Sequence, residues 1–316
     1  MQKYIFYLFL FLAISLSAQR TNKILSVKTN DDVHCHKVIE DKDLFAQGWD
    51  TLQQVMFWKE VVTLDPQHYI IYSLETREIL GYAETKEWNK MSVTQRKAFQ
   101  LARCKEYDVS PKNTIVAAQG RKDFYLFEET IPNIAKGIAV FTAEKADPWY
   151  AQAILLIESP GSKVKTSYSG ARGSFQLMPE VAREMGLTVT EEKDDRTDFK
   201  KSAQGAARLM RQTCIPQTKA MLTKRGIAFK ETDLWFRLLV MHSYHAGAGN
   251  VSAALNAINP KSGGMWLIQR LWKTNAAGFQ NESQNYSQIA LSAILQLANI
   301  VAEQGDIVCE VTEEGW

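Results

Sequence analysis

Apolar positions recur at two different spacings along this chain. In the front part, two short apolar runs, residues 69–72 and 79–82, flank a polar stretch and predict a β-hairpin. Apolar residues at helical spacing predict helices over 43–64 and 92–107, and residues 114–118 predict a short strand. The front part is therefore expected to mix helices and strands.

Beyond about residue 123 the spacing becomes helical. Asp147-Pro148 supplies a capping side chain and a first-turn proline, and predicts the start of a helix that runs to Glu158. This segment is apolar on all sides, which is typical of a buried helix. Further helices are predicted over 179–186, 199–213, 234–243 and 286–302. The pattern indicates a mostly α domain behind a small α+β one.

Composition narrows the class of protein without naming a function. The chain has 316 residues, 46% hydrophobic and 23% charged, which is the balance of a globular protein with one large domain or two modest ones. Its 37 basic and 35 acidic residues give a net charge of +2. A nucleic-acid-binding protein needs a strongly basic face. No nucleic-acid partner is expected.

The first residues resemble a targeting segment. Lys3 precedes an apolar run over 4–16, and Ser17-Ala18-Gln19 follows with small and polar residues. This order predicts a secretory signal peptide over residues 1–18, because the run is shorter than the ~20 apolar residues of a membrane-spanning helix. No later stretch is long and apolar enough to span a membrane. The protein is therefore expected to be exported to the periplasm or cell envelope.

Export would expose the cysteines to an oxidising compartment. The chain has four, Cys35, Cys104, Cys214 and Cys309. In an oxidising compartment an even number of cysteines predicts two disulfides, and the sequence does not choose among the three pairings. His34-Cys35-His36 has metal-ligating side chains, but no second ligand cluster with suitable spacing accompanies it. Neither a metal nor another cofactor is expected.

One carboxylate stands out by its position. Glu158 closes the apolar helix directly after Leu156 and Ile157. Because desolvation disfavours the charged form, its pKa is expected to be raised. A carboxyl group with a raised pKa can hold a proton near neutral pH and act as a general acid.

A glycine-rich segment, residues 170–179, begins twelve residues after Glu158. Its two glycines three residues apart, followed by a proline, predict a tight loop that leads into a helix. Either the segment is only a turn and a helix start, or its backbone and Gln176 line a cleft that faces Glu158. Composition leaves both interpretations open.

Five ordered motifs with matching gaps carry a family resemblance across about residues 147–298. They are Glu158-Ser159, then Gly170-Ala171-x-Gly173-x-x-Gln176-x-Met178-Pro179, Asp195-Arg196-x-Asp198, the segment Tyr244-His245-Ala246-Gly247-Ala248-Gly249-Asn250-Val251, and Asn285-Tyr286. In this order they resemble the signature of the soluble lytic transglycosylases, relatives of goose-type lysozyme.

The resemblance implies a lysozyme-like (α+β) catalytic domain over 123–316, preceded by an α+β domain of unknown role over 19–122. It implies peptidoglycan glycan strands as substrate and Glu158 as the only catalytic acid and base. It also implies that Tyr244 lies beside the catalytic carboxyl, where its hydroxyl would hold Glu158 in its productive direction. The substrate-binding residues that it implies are Ser167, Gln176, Met178, Tyr244 and Tyr286.

Two positions depart from the family pattern. His245 stands where the family usually has asparagine, so the local geometry is expected to differ there, and a titratable side chain near the cleft would add a pH dependence. The alternative is that His245 is an ordinary packing residue. Pro160 after Glu158-Ser159 is also atypical, and it is expected to stiffen the exit from the helix.

A single acid implies substrate assistance rather than the usual pair of carboxylates. The 2-acetamido group would stabilise C1, and attack of the muramyl 6-hydroxyl would give a 1,6-anhydro product. One alternative is a hydrolase of the same fold, in which water attacks instead. Another is a non-catalytic wall-binding protein that kept the fold. The sequence does not tell endo from exo cutting.

If the apolar start is a signal peptide, the mature protein should begin within a few residues of Gln19. Sequencing the N-terminus of protein isolated from its native cell checks this, and an intact Met1 would reject the prediction.

Overall fold

The computed structural model describes residues 22–28, 34–110, 112–161, 166–303 and 308–309. The predicted signal peptide lies outside these residues. Among the helices that are described, none is long and apolar enough to cross a membrane.

A small antiparallel sheet joins the two ends of the described chain. Strand β1 (Lys23–Lys28) lies in the middle, between β2 (Cys35–Glu40) and β6 (Val308–Cys309). Residue pairs such as Leu25 and Val38 set the register of β1 against β2. The sequence pattern did not predict this sheet, because each strand is short and β6 comes from the far end of the chain.

The helix predicted over 43–64 is wrong as one continuous element. The structure has α1 (Lys42–Ala46), a short 3-10 turn (Trp49–Thr51) and α2 (Gln53–Thr63) in its place. Gly48 lies between the first two with φ of 75°, a left-handed conformation that ends α1. Apolar spacing alone does not reveal such a break.

The predicted hairpin and the elements around it are confirmed. Strands β3 (His68–Ser73) and β4 (Ile79–Glu84) pair antiparallel, and β5 (Ile115–Gln119) pairs with the other edge of β3. Two helices, α3 (Thr85–Lys90) and α4 (Val93–Glu106), connect β4 to β5. Ser92 and Gln95 form a reciprocal capping box at the start of α4, which explains why this helix could be predicted.

The rest of the chain is helical, as predicted. Its helices are α5 (Phe127–Ala143), α6 (Trp149–Glu158), α7 (Pro179–Glu184), α8 (Phe199–Leu209), α9 (Ile215–Thr223), α10 (Leu234–Ala246), α11 (Ala248–Ile258), α12 (Met265–Leu271) and α13 (Glu282–Glu303). A π-helical turn, Met210–Cys214, joins α8 to α9. The prediction of a mostly α fold with a small α+β part is confirmed.

Helix α6 lies in the middle of the core. Every residue from Trp149 to Ile157 is buried, and α5 and α13 pack against the helix. At its start, the Asp147 carboxylate accepts a hydrogen bond from the Trp149 backbone N–H and pairs with Arg237 of α10 at 2.7 Å. The buried helix delivers Glu158 to the edge of the core.

The front part of the chain shares this core. Helix α2 packs on α13, and β2 packs on α5. The Gln152 side chain on α6 also bonds both the backbone N–H and the carbonyl of Ile39, each at 2.8 Å. A second, smaller cluster under the β3 sheet includes Phe57 and Ile70. The domain boundary between residues 122 and 123 stays a prediction.

The prediction of two disulfides is wrong. Cys35 is disulfide-bonded, whereas Cys104 and Cys214 carry buried free thiols. Cys104 lies on α4, which packs against β4, and Cys214 lies in the π-helical turn, which packs against α10. The two thiols therefore lie in separate parts of the fold and do not form a disulfide with each other. Burial raises the pKa of Cys214 to about 12.

Two thiols per chain should therefore react with a thiol reagent under denaturing, non-reducing conditions, and almost none in the native protein because both are buried. Counts of zero or four after denaturation would contradict this arrangement.

Candidate active site

The candidate site is built around the carboxyl end of α6. The helix stops at Glu158 because Ser159 leaves the helical region, with φ of −141°. The Ser159 hydroxyl donates to the carbonyl of Ser174 at 2.9 Å, and the carbonyl of Pro160 accepts from Leu126 N–H at 3.0 Å. Ser159 and Pro160, the two residues after the helix, are thus both hydrogen-bonded to neighbouring segments. This agrees with the expectation that the chain is stiff where it leaves the helix.

The Glu158 carboxyl is half-buried, and in the described part of the chain one side chain donates to it. Tyr286 of α13 donates its hydroxyl to Glu158 Oε1 at 2.8 Å. Burial raises the pKa of Glu158 to about 7, although the Tyr286 hydrogen bond acts in the opposite direction. The raised pKa that the apolar helix predicted is present, and a substantial fraction of the carboxyl holds its proton at neutral pH.

Three phenols of the described residues interact with the charge of this carboxyl group. They are Tyr286 on α13, Tyr244 on α10 and Tyr125 just before α5. Burial raises the pKa of each phenol, and the negative charge of Glu158 raises it further. All three therefore remain protonated near neutral pH and can donate hydrogen bonds.

The expectation that the Tyr244 hydroxyl holds the carboxyl is wrong. Tyr244 donates instead to the backbone carbonyl of Phe175 at 2.5 Å. The charge of Glu158 still raises the pKa of Tyr244, but the Tyr244 hydrogen bond fixes the loop that contains Phe175. Tyr286, which the resemblance assigned to substrate binding, makes the contact that was assigned to Tyr244.

The loop that Tyr244 holds is the glycine-rich segment after Glu158. Gly173 has φ of 86°, and a Cβ there would lie 1.8 Å from the carbonyl oxygen of Arg196, so only glycine fits. Gln176 has φ of 45°, and its side-chain amide donates to the Gly173 carbonyl at 2.8 Å. Arg172 and Leu177 exchange backbone hydrogen bonds and close the loop.

The acidic stretch after this loop is structural. Arg196 donates to the carbonyls of Gly170 and Leu177 at 2.9 and 3.0 Å and pairs with Asp194 at 2.8 Å. The hydrogen bonds from Arg196 hold the pKa of Asp194 below its usual value. A hydrogen bond from Lys201 lowers the pKa of Asp195 to about 2. Arg196, the arginine of the Asp195-Arg196-x-Asp198 motif, thus supports the loop, and Asp194 holds Arg196 in place.

The remaining predicted site residues lie around this loop. Ser167 accepts from the Ala171 N–H at 2.9 Å and lies 3.0 Å from the Ser169 hydroxyl, so its hydroxyl is engaged within its own turn. The Met178 side chain follows Gln176 and is exposed, unusually for its size. The structure thus brings Tyr286 and Tyr244 to Glu158, and places Gln176 beside Phe175.

Two contributors were not found from the sequence. Tyr125 lies in a short segment before α5 that has no motif, and His242 is a fully buried residue of α10 that bonds Ser287. Only tertiary packing places them near Glu158 and Tyr286. His245, flagged as atypical, stacks its ring on Tyr286 with centroids 4.3 Å apart.

No cluster of three or more histidine, cysteine or acidic residues suited to a metal occurs in the part of the chain that the structure describes. The Cys35 sulfur between His34 and His36 is committed to its disulfide.

Comparison with known proteins finds one family model that matches the region of this site. The family model described as Transglycosylase SLT domain matches residues 139–263, from the last part of α5 to just before α12. The matched stretch contains Glu158, Gln176 and Tyr244, and it ends before Tyr286. No curated protein matches the chain.

Replacing Tyr286 with phenylalanine should raise the pKa of Glu158 by about one unit. The hydroxyl favours the charged carboxylate, and a hydrogen bond to a charged group is worth about 1.5–3 kcal/mol, or one to two pKa units. Titration of the carboxyl by NMR in protein labelled with ¹³C-glutamate, assigned with Glu158→Gln, measures the change.

Tyr244→Phe is the matched control, because it removes a phenol hydroxyl that donates to Phe175 and not to the carboxyl. An unchanged Glu158 pKa in Tyr286→Phe, or an equal rise in Tyr244→Phe, would reject the assignment of the donor.

Proposed function

The chain carries a transglycosylase SLT domain, the domain of the soluble lytic transglycosylase family, and we propose that it is a peptidoglycan lytic transglycosylase with Glu158 as its single catalytic acid and base. The observation that supports this most is the half-buried Glu158 carboxyl with a pKa of about 7 inside the matched region. Burial and the Tyr286 hydrogen bond account for that pKa, and no second carboxylate of the described residues contributes to it.

The proposed reaction starts with the protonated carboxyl. Glu158 gives its proton to the glycosidic oxygen between MurNAc and GlcNAc as the bond to C1 breaks, and the 2-acetamido group of the muramyl sugar stabilises C1. The Glu158 carboxylate then removes the proton of the muramyl 6-hydroxyl while that oxygen attacks C1. The proton on Glu158 is restored, and the product carries a 1,6-anhydro end.

The polar surroundings suit both halves of this cycle. A pKa near neutrality leaves the carboxyl able to donate in the first step and accept in the second. The Tyr286 hydroxyl stabilises the carboxylate formed between them. Since Tyr286 stays protonated, it holds the carboxyl without competing for the transferred proton.

The loop opposite Glu158 is proposed to bind the sugars. Gln176 and Met178 would contact the substrate from this loop, and Ser167 from the preceding turn. Tyr244 would act by fixing the loop through the Phe175 carbonyl. The Met178 side chain is exposed at the surface, so a sugar ring could reach it.

The proposal extends to the roles of the three segments of the chain. Residues 1–18 would direct export, residues 123–316 would form the catalytic domain, and residues 19–122 would support it through the shared core. Glycan strands of the cell envelope would then be the substrate. A hydrolase of the same fold, in which water replaces the 6-hydroxyl, uses the same carboxyl and is separated by its product.

Glu158→Gln should abolish release of muropeptides from purified sacculi while the fold remains intact. The amide is close in shape but transfers no proton, and general acid and base catalysis is worth about 10²–10⁴ in rate. Turnover above a few per cent of wild type would reject Glu158 as the acid.

Thermal unfolding provides the control for folding. Because the folded pKa of Glu158 lies above its usual value of 4.5, the carboxyl costs stability as the pH rises from about 4.5 through 7. Glu158→Gln removes that cost and should unfold at a higher temperature than wild type above pH 7. A lower unfolding temperature at that pH would point to damage of the fold.

A further inference from the structure

We propose that His245 is a positioning residue, which stacks on Tyr286 and thereby keeps the Tyr286 hydroxyl on the Glu158 carboxyl. The catalytic meaning of this role rests on the proposed function, but the contact itself does not. His245 occupies the position where the sequence departs from the family pattern, so this device would be particular to this chain.

The stack has a defined geometry. The ring centroids of His245 and Tyr286 lie 4.3 Å apart, and the two planes differ by 17°. His245 lies next to the last residue of α10, and the residue remains exposed, whereas Tyr286 is 4% exposed. The imidazole therefore forms a flat lid over one face of the phenol ring.

The stacked imidazole matters for the position of the Tyr286 hydroxyl, because this hydroxyl lies far from the backbone of Tyr286. The Tyr286 hydroxyl lies at the far end of a ring that turns about two side-chain torsions. A small rotation of the ring moves the hydroxyl away from Glu158 Oε1, which it contacts at 2.8 Å. Stacking restricts that rotation, and hydrogen bonds that hold catalytic groups lose much of their effect when misplaced.

A second contact fixes the helix on which Tyr286 stands. His242 lies one turn before His245 on α10, and its Nε2 bonds the Ser287 hydroxyl at 2.8 Å. Trp272 Nε1–H donates to the same hydroxyl, also at 2.8 Å. Thus α10 contacts two consecutive residues of α13, and His242 sets the position of the helix while His245 sets the plane of the ring.

The charged and titratable neighbours leave His245 as a neutral ring. Desolvation of the packed imidazole lowers the pKa of His245, although the residue as a whole is exposed, and Glu282 at the start of α13 opposes this shift. Its neighbour His242 has its pKa lowered to about 3, by burial and by His245. The stack therefore depends on the flat ring and not on a positive charge, and a neutral ring of similar size should replace it.

Among the described residues, phenols from three elements interact with the charge of Glu158. Tyr286 comes from α13, Tyr244 from α10, and Tyr125 from the segment before α5. The Cys214 thiol near Tyr244 and Tyr286 is neutral, because burial raises its pKa to about 12. Loss of burial at Glu158 would lower its pKa, whereas loss of the Tyr286 hydrogen bond would raise it, so the direction of a change that follows a change at His245 separates the two causes.

The test is the carboxyl pKa of Glu158, read by NMR in the full chain labelled with ¹³C-glutamate. His245→Ala removes the lid and should raise this pKa by about half a unit, part of the rise expected for Tyr286→Phe. His245→Phe keeps a flat ring and should leave the Glu158 pKa at its wild-type value. In the background of Tyr286→Phe, His245→Ala should add no further rise, because the hydroxyl is already absent.

An unchanged or lowered Glu158 pKa in His245→Ala would overturn the proposal, as would a rise of the same size in His245→Phe. So would a further rise on top of Tyr286→Phe. None of these outcomes depends on glycan cleavage, so a protein that fails to cleave sacculi while showing the expected titrations would reject the proposed function and leave the role of His245 standing.

Discussion

The enclosure of α6 is the constraint on which the rest of the structure depends. A ten-residue helix without a polar face must be covered on every side, and here α5, α13 and the front strand β2 cover it. The one ionisable side chain at its carboxyl end, Glu158, is therefore brought to the boundary between core and solvent. A carboxyl placed there loses part of its hydration, which raises its pKa to about 7.

A second interaction limits that rise. The Tyr286 hydroxyl stabilises the charged form, so the carboxyl remains titratable near neutral pH and is not locked in its protonated state. The same helix α13 that covers α6 supplies this phenol, and α10 fixes α13 through His242 and Ser287. Packing and protonation are thus set by the same contacts.

The sequence predicted the features that local chemistry determines. The pair Asp147-Pro148 predicted where α6 begins, and the apolar residues after it predicted that the helix is buried. The position of Glu158 at the end of this helix predicted that the pKa of its carboxyl is raised. The break at Gly48 was missed because one residue in a left-handed conformation leaves the apolar spacing intact. The contact with Glu158 was assigned to Tyr244 instead of Tyr286, because both are tyrosines on buried helices and their sequence positions do not distinguish them. Only the packing of α10 against α13 decides which hydroxyl reaches the carboxyl.

Long-range features were equally hidden. Strand β6 pairs with β1 although the two strands come from opposite ends of the sequence. The side-chain amide of Gln152 bonds the backbone of Ile39 through both its oxygen and its nitrogen. Such contacts leave no periodic signal. The same holds for the cysteines, whose number suggested two bridges although Cys104 and Cys214 lie in separate parts of the fold.

The most direct test of the proposed reaction is mass spectrometry of the muropeptides that the mature protein releases from purified sacculi. The proposal predicts products with 1,6-anhydro-MurNAc ends, each one water lighter than the reducing form, and none of them from Glu158→Gln. Reducing ends from the wild-type protein would identify a hydrolase, and no released product would leave a wall-binding protein; either result would contradict a lytic transglycosylase.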